Sequence, residues 1–465
     1  MSGSRQGAIE RVTRHFDDGG FFADLARRVA YPTVSQDPSY AEHLSRYLRA
    51  ELTPTLEAMG YHCSIHDNPK PPYGPFLIAR RIEGAELPTV LTYGHGDVVR
   101  GLDEQWRQGL SPWTLTLEGD RLYGRGTADN KGQHSINLAA LKAVIEERGA
   151  LGFNSIVLIE TGEETGSPGL HEFCRRHKEA LAADVLIGSD GPRLRVEKPT
   201  IFTGTRGALN FELTLDLRAG GHHSGNWGGL LANPGIVLAH AIASIVDRRG
   251  AIKVPEWRPT SLTPAVRRVL ADCVVDGGEG APAIDADWGE PGLTSVERVF
   301  GWNSFEVLAF KTGNPENPVN AIPPGATAWC QLRFVVGTDA DDILPALRRH
   351  LDREGFGAVE VKPSREVFMR ATRLDPESAL MQWAARSVAD SAGQAPNVLP
   401  NLGGSLPNDA FTDVLGMPTL WVPHSYASCS QHAPNEHMLA PVAREGLRVM
   451  AGLFWDVGAG GLPRG

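Results

Sequence analysis

The sequence predicts an α/β protein in which a mostly parallel sheet, with helices on both faces, is interrupted by an inserted α+β module. Three observations lead there. Through the first two hundred residues, short apolar runs alternate with helical patterns, as in parallel sheets buried on both sides. Near Arg206 the apolar period becomes two, the mark of strands wet on one face. Beyond about residue 370 the first pattern returns. A chain of 465 residues also exceeds what one hydrophobic core usually serves.

Taken in order, residues 90–93, 156–159 and 185–187 read as buried strands. Between the first two, SINLAALKAVIEE sets Leu141, Val144 and Ile145 on one helical face. In ALNFELTLDL, Leu209, Phe211, Leu213, Leu215 and Leu217 face inward, while Asn210, Glu212, Thr214 and Asp216 face water. ATAWCQLRFVV repeats the alternation, with Ala328, Cys330, Leu332, Phe334 and Val336 inward and Gln331 and Arg333 outward. Helical patterns at 233–247 and 343–354 flank these strands, Pro234 suiting a first helical turn. Residues 378–392 then read as a helix and 419–423 as a strand of the resumed first domain. The expected division is residues 1–203 with 370–465 as one discontinuous domain and 204–369 as the insertion. Residues 251–300, rich in Gly, Pro and Asp, read as an irregular excursion, and the glycine-rich tail after Asp456 reads as loose.

The net charge of −10 lacks the basic footprint of a nucleic-acid binder. No apolar run is long enough to span a bilayer, and the first residues lack the apolar core of a signal peptide. A small substrate and a cytoplasmic location are the expectations. Five widely spaced cysteines without a C-x-x-C pair read as reduced thiols.

The chemistry gathers where strands end. LTYGHGDVV supplies His95 and Asp97, LIETGEETG supplies Glu163 and Glu164, and LIGSDGP supplies Asp190. GRGTADNKGQ adds Asp129 and SQHAPNEH adds His432. Ligands bind at the carboxyl ends of strands in open α/β sheets. Imidazole and carboxylate donors without thiolate suit zinc, with manganese or cobalt as alternatives, and a shared carboxylate lets few residues hold two ions. His134, His171, His177, His424 and His437 gain no such support and read as packing or surface residues.

Together these motifs resemble the co-catalytic zinc peptidases that include carnosinase, bacterial dipeptidases, aminoacylase and carboxypeptidase G. The resemblance covers nearly the whole chain. It implies two zinc ions per subunit, His95 and Asp190 on one, Glu164 and His432 on the other, and Asp129 bridging, with a cis peptide bond after Asp129. It assigns Glu163 as general acid/base and Asp97 as the carboxylate partner of His95, in keeping with how ligating histidines are oriented. Glu436 is expected to brace the loop carrying His432.

In the insertion, HHSGNWGG resembles a lid motif, which nominates His223 to reach the active site of the other subunit of a homodimer. NPVNAIPPGATAWCQLRF resembles another lid motif of that family, which nominates Asn320 and Arg333 as substrate contacts. NLGGSLPNDAF sets Gly403, Gly404 and Ser405 ahead of a predicted helix at 407–415, a place for a substrate carboxylate. Asp190 in place of glutamate, and DNKG in place of D-M-K-G, resemble the carnosinase-like members and favour a dipeptidase. An N-acyl-amino-acid amidohydrolase or carboxypeptidase is the alternative; more remote are a metal-dependent phosphoesterase, against which GEETG and HAPNE argue, and an inactive binding protein, which would have no chemical need for Glu163.

Overall fold

The computed structural model describes residues 3–275, 282–364 and 368–463. Its main sheet has eight strands in the order His62–His66, Phe76–Arg81, Asn154–Glu160, Thr89–His95, Val185–Gly188, Thr419–Trp421, Thr200–Phe202 and Asn397–Leu399. Thr89–His95 runs parallel to both neighbours, and Thr419–Trp421 is parallel to Val185–Gly188. The central strands are buried along their length because both faces are covered. On one face Val90, Val157 and Ile187 pack with Leu141 and Val144 of helix Lys131–Arg148 and with Leu447 and Met450 of helix Ala440–Asp456. On the other, Leu91, Tyr93 and Leu158 meet Phe173, Phe411 and Trp421.

A second, antiparallel sheet follows the order Ser304–Thr312, Gly325–Phe334, Gly207–Asp216, Glu360–Pro363. Alternate residues of Gly207–Asp216 are buried, and Phe211 and Leu213 pack with Leu238 and Leu347 of helices Pro234–Ile245 and Ile343–Arg353. The inward alternation of Gly325–Phe334 stops at Phe334: Val335, not Val336, is buried, since the strand ends there and the backbone turns.

Two expectations change. The stretch 251–300, apart from residues 276–281, which lie outside the described residues, carries helices Pro264–Leu270 and Ser295–Phe300. Val266, Leu270, Val296 and Phe300 enter the apolar layer beneath the main sheet, so this segment is an arm gripping the other sheet. The first residues after Asp456 are packed as well. Val457 is buried, and Gly458 lies so close to the Leu151 carbonyl that a side chain there would collide with it.

Backbone bonds connect the parts: Thr205 and Thr372 exchange N–H to carbonyl bonds of 3.2 and 3.0 Å, and Leu402 N–H donates to Gly204 O at 2.8 Å.

Candidate metal centre

His95 closes its strand, and Asp97 lies two residues beyond. The strand Asn154–Glu160 runs into a helical turn, Glu163–Thr165. Asp190 lies just past Val185–Gly188, and Asp129 precedes helix Lys131–Arg148. His432 sits on a loop in which Ser430, His432 and Asn435 all take positive φ, a region that side-chain-bearing residues occupy only when neighbours hold them there.

These residues converge on two groups of donor atoms that share one carboxylate. His95, Asp129 and Asp190 form one, and Asp129, Glu164 and His432 the other, with all donor atoms of each group within 4.8 Å of one another. His95 Nε2 lies 2.9 Å from Asp129 Oδ1 and 3.7 Å from Asp190 Oδ2. His432 Nε2 lies 2.9 Å from Asp129 Oδ2 and 3.0 Å from Glu164 Oε2. Asp190 Oδ2 and Glu164 Oε1 are buried without a hydrogen-bond partner, which is costly unless a cation or donor satisfies them. Orphaned carboxylate oxygens beside two imidazoles, with no thiolate, fit divalent cations.

The electrostatics agree. Burial raises the Asp190 carboxyl to about 6 and the Glu164 carboxyl to about 7, with Asp129 adding repulsion in both cases. Hydrogen bonds to Asp129 and Glu164 raise His432 to about 11. Burial also pushes Asp129 upward, but the two imidazoles outweigh it and hold the carboxyl below its usual range. Four buried or nearly buried carboxyls, counting Glu163, thus crowd two rings. Cations would relieve that crowding.

Asp97 touches more than His95. His95 Nδ1 is nearer the Asp97 backbone carbonyl, at 3.1 Å, than its carboxylate, at 3.5 Å. The carboxylate also accepts the backbone N–H groups of Glu163 (3.2 Å) and Glu164 (3.1 Å), because the turn after the neighbouring strand presents them to it. Glu163 projects its carboxylate to 4.0 Å from His95 Nε2, and burial raises it well above the ordinary range.

Glu436 reaches a second loop. Its Oε1 accepts from the N–H groups of Gly126 (3.1 Å), Ala128 (2.9 Å) and Asp129 (3.1 Å), and its Oε2 from Arg125 Nη1 (2.8 Å). It braces the loop of Asp129, to which its own loop is thereby tied. The Asp129–Asn130 peptide is cis, and the Asn130 amide donates to Ser189 O beside Asp190.

Other nominated residues lie farther out. Arg333 donates to Ser405 Oγ at 3.2 Å, bringing the second sheet against the Gly403–Gly404–Ser405 loop. That loop ends four residues, Leu406 to Asp409, before the short helix Ala410–Leu415, because Leu406 is drawn into the core and Asn408 donates to Thr372 and Thr419. His223 is exposed and accepts from Gly225 N–H, and Ser224 donates to the Asn320 carbonyl. Among the described residues no hydrogen bond or ion pair ties His223 to the cluster. His424 is fully buried, with neither ring nitrogen paired.

Motif reading missed three supports. Gln431 donates to Asp129 Oδ2 at 2.5 Å. Glu160, fully buried at the end of its strand, accepts from Tyr93 OH (2.5 Å) and Ser167 Oγ (3.0 Å), pinning both ends of the loop that carries Glu163 and Glu164. Its one signal was an acidic residue closing the apolar run SIVLIE. Arg206, buried, donates to Val299 O, while its backbone N–H meets Leu402 O and Gly404 O.

The chain is similar to several known proteins. The chain is 26% identical over 403 residues to a cysteinylglycine-S-conjugate dipeptidase of Corynebacterium striatum, covering 83% of this chain and 84% of that one. It is 31% identical over 264 residues to the human β-Ala-His dipeptidase, about half of each chain at 53% and 51%. Among solved structures, an M20 family metallo-carboxypeptidase of Sulfolobus solfataricus superposes with a TM-score of 0.79 at 24% identity, covering 94% of this chain and 99% of that one. The di-peptidase Dug1p of Saccharomyces cerevisiae gives 0.78 at 21%, covering 99% of each. The sequence profile of peptidase family M20/M25/M40 matches residues 91–456. This chain therefore belongs to peptidase family M20/M25/M40 and is a metal-dependent hydrolase.

Proposed function

We propose that the chain is a dipeptidase using two zinc ions, His95 and Asp190 holding one, Glu164 and His432 the other, with Asp129 shared. The observation that carries this is the pair of donor groups meeting at the two oxygens of Asp129. Dipeptidase activity in the named relatives supports the choice of substrate. Bound divalent cations supply the positive charge that polarises the scissile carbonyl and acidifies water. Glu163 takes a proton from the attacking water and delivers it to the leaving nitrogen, a role suited to a carboxyl that burial makes more basic. Asp97 keeps Glu163 and Glu164 splayed by holding their N–H groups. Arg333, Ser405 and the Gly403–Gly404 backbone receive the substrate's free carboxylate.

The second sheet acts as lid and homodimer surface. Its edge strand Ser304–Thr312 exposes Val307, Leu308 and Phe310, beside exposed Ile236 of helix Pro234–Ile245. An unpaired edge with an apolar patch is a pairing surface. His223 and Asn320, near one another on this lid, then reach the partner's site.

Two measurements test the reading. Glu163→Ala should retain bound zinc yet lose about 10²–10⁴-fold in turnover, whereas Asp129→Ala should lose the metal as well. Full turnover in Glu163→Ala ends the mechanism. Acetylating the dipeptide's amine should abolish cleavage; faster cleavage of the acetylated form would identify an acyl-amino-acid hydrolase instead.

A further inference from the structure

The first two turns of helix Lys131–Arg148 are buried on every side, yet they carry amides. The cap residue Asn130 and the helical residues Gln133 and Asn137 stand three and four positions apart, on one face, and all three are fully buried. A buried amide is costly unless its polar atoms find partners. Each of the three reaches the same segment. Asn130 Nδ2 donates to Ser189 O at 2.9 Å, Gln133 Nε2 donates to Gly191 O at 3.3 Å, and Asn137 Oδ1 accepts from Ser189 Oγ at 3.0 Å.

Asp190 lies between the two carbonyls held in this way. Its Oδ1 accepts the Gly191 N–H at 2.6 Å. That leaves Oδ2, which has no hydrogen-bond partner among the described residues, on the side of His95 Nε2.

Gln133 reaches farther than the other two amides. The same Nε2 donates at 2.9 Å to Ala128 O, the carbonyl joined to the nitrogen of Asp129, and Oε1 accepts the His424 N–H at 2.8 Å. One side chain therefore ties the backbone before Asp129 to the backbone after Asp190, and both to the segment that follows strand Thr419–Trp421. Ser425 of that segment adds a second bond to Gly191 O, its Oγ donating at 3.0 Å. Asp129 is braced independently, because Glu436 takes its N–H and those of Gly126 and Ala128. Asp190 has the amides of the helix and Ser425 in that place.

Resting on the two-zinc reading, we infer that Gln133 is a positioning residue, which sets Asp190 where it can share one zinc ion with His95 and Asp129, with Asn130, Asn137 and Ser425 as the other members of the clamp. Groups that hold metal ligands are worth about 10–100-fold in metal affinity. The loss falls on the ion of His95 and Asp190, since Glu436 keeps Asp129 in place for the other.

Gln133→Met keeps the reach of the side chain and removes its hydrogen bonds. Metal-stripped protein titrated with zinc against a chromogenic chelator reads the affinity of each ion without turnover. The variant should bind one ion at least about tenfold more weakly and the other within about threefold of the unaltered chain. Combined with Asp190→Ala, which removes the weakened site, it should change the remaining affinity by less than about threefold. Asn154→Ala is the control. That amide is likewise buried and donates to Gly84 O and Leu87 O, at the end of its strand away from Glu163. It should lower the melting temperature and leave zinc affinity unchanged. If Gln133→Met fails to fold, Asn137→Ala with Ser425→Ala removes the outer bonds of the clamp and should weaken the same ion by about threefold or more. Two ions bound as tightly as in the unaltered chain overturn the inference and leave the ligand assignment intact, and so does an equal loss of zinc in Asn154→Ala. An Asp190→Ala variant that still binds both ions overturns the ligand assignment, and the inference with it.

Discussion

Glu436→Gln should unfold the chain at a markedly lower temperature, although Glu436 is placed on neither metal. In the native structure its Oε1 takes three backbone N–H groups and its Oε2 takes Arg125 Nη1 at 2.8 Å. Both side chains of the pair are 1% exposed. With the amide oxygen in the place of Oε1, the three N–H groups stay satisfied but an NH₂ now faces the guanidinium. That leaves a buried charge without its counter-charge, a defect of about 3–5 kcal/mol. At about 2 °C per kcal/mol, the lower end for large domains, the apparent Tm falls by about 6–10 °C. Differential scanning calorimetry of Glu436→Gln measures it, with Arg125→Met added in the same background as control. The double variant removes the stranded charge and should regain part of the loss, a coupling expected of residues in contact. A Tm for Glu436→Gln within 2 °C of the unaltered chain, or a double variant worse than the sum of the singles, refutes the reasoning.

Three further outcomes follow from the same structure. Burial holds the Glu160 carboxyl at about 7, against 4.5 for the free side chain, so the folded state keeps a proton that the unfolded chain releases as pH rises. Stability from this group is full below pH 4.5 and declines by about 3 kcal/mol by pH 7; Glu160→Gln should flatten that slope in urea titrations at pH 5 and 7.5, and parallel slopes would count against it. Phe310→Glu, on the exposed edge strand, should convert the proposed dimer to monomer in sedimentation velocity, with turnover falling in step because His223 no longer crosses over; a fully active monomer contradicts the role of His223. Phe300→Ala removes an arm side chain from the layer under the main sheet and should cost about 3–5 kcal/mol in denaturant unfolding, whereas an arm merely resting on the surface would cost under 1.

Much of the catalytic part was legible because its signals are local. A buried parallel strand reads as an unbroken apolar run, and each of the residues 95, 129, 164, 190 and 432 follows such a run or sits in a short distinctive motif. The alternation in Gly207–Asp216 was equally plain, since one face of that strand is wet. The arm at 264–300 was not legible: its two helices are short, and their apolar residues are satisfied by a sheet distant in sequence. The helix expected at 407–415 forms but starts later, at Ala410, because Asn408 is held by side chains at positions 372 and 419, a tertiary claim that no local pattern announces.

The supporting carboxylates show why type and spacing name the ligands more readily than the residues that hold them. Asp97 and Glu436 both stand in motifs beside ligands, and each was expected to serve its immediate neighbour. Each also accepts the N–H groups of a loop from elsewhere in the chain: Asp97 those of Glu163 and Glu164, Glu436 those of Gly126, Ala128 and Asp129. A donor atom has to lie within a few tenths of an ångström of its place to share an ion. Side-chain torsions alone do not secure that on loops at strand ends, but backbone N–H groups clamped by a buried carboxylate do. One such carboxylate in each supporting loop sets the Glu163–Glu164 turn against His95 and sets Asp129 against His432. This is also why loss of Glu436 should reach the metal: with Arg125 stranded, the loop that orients Asp129 is the first to give way, and zinc stoichiometry should fall together with Tm.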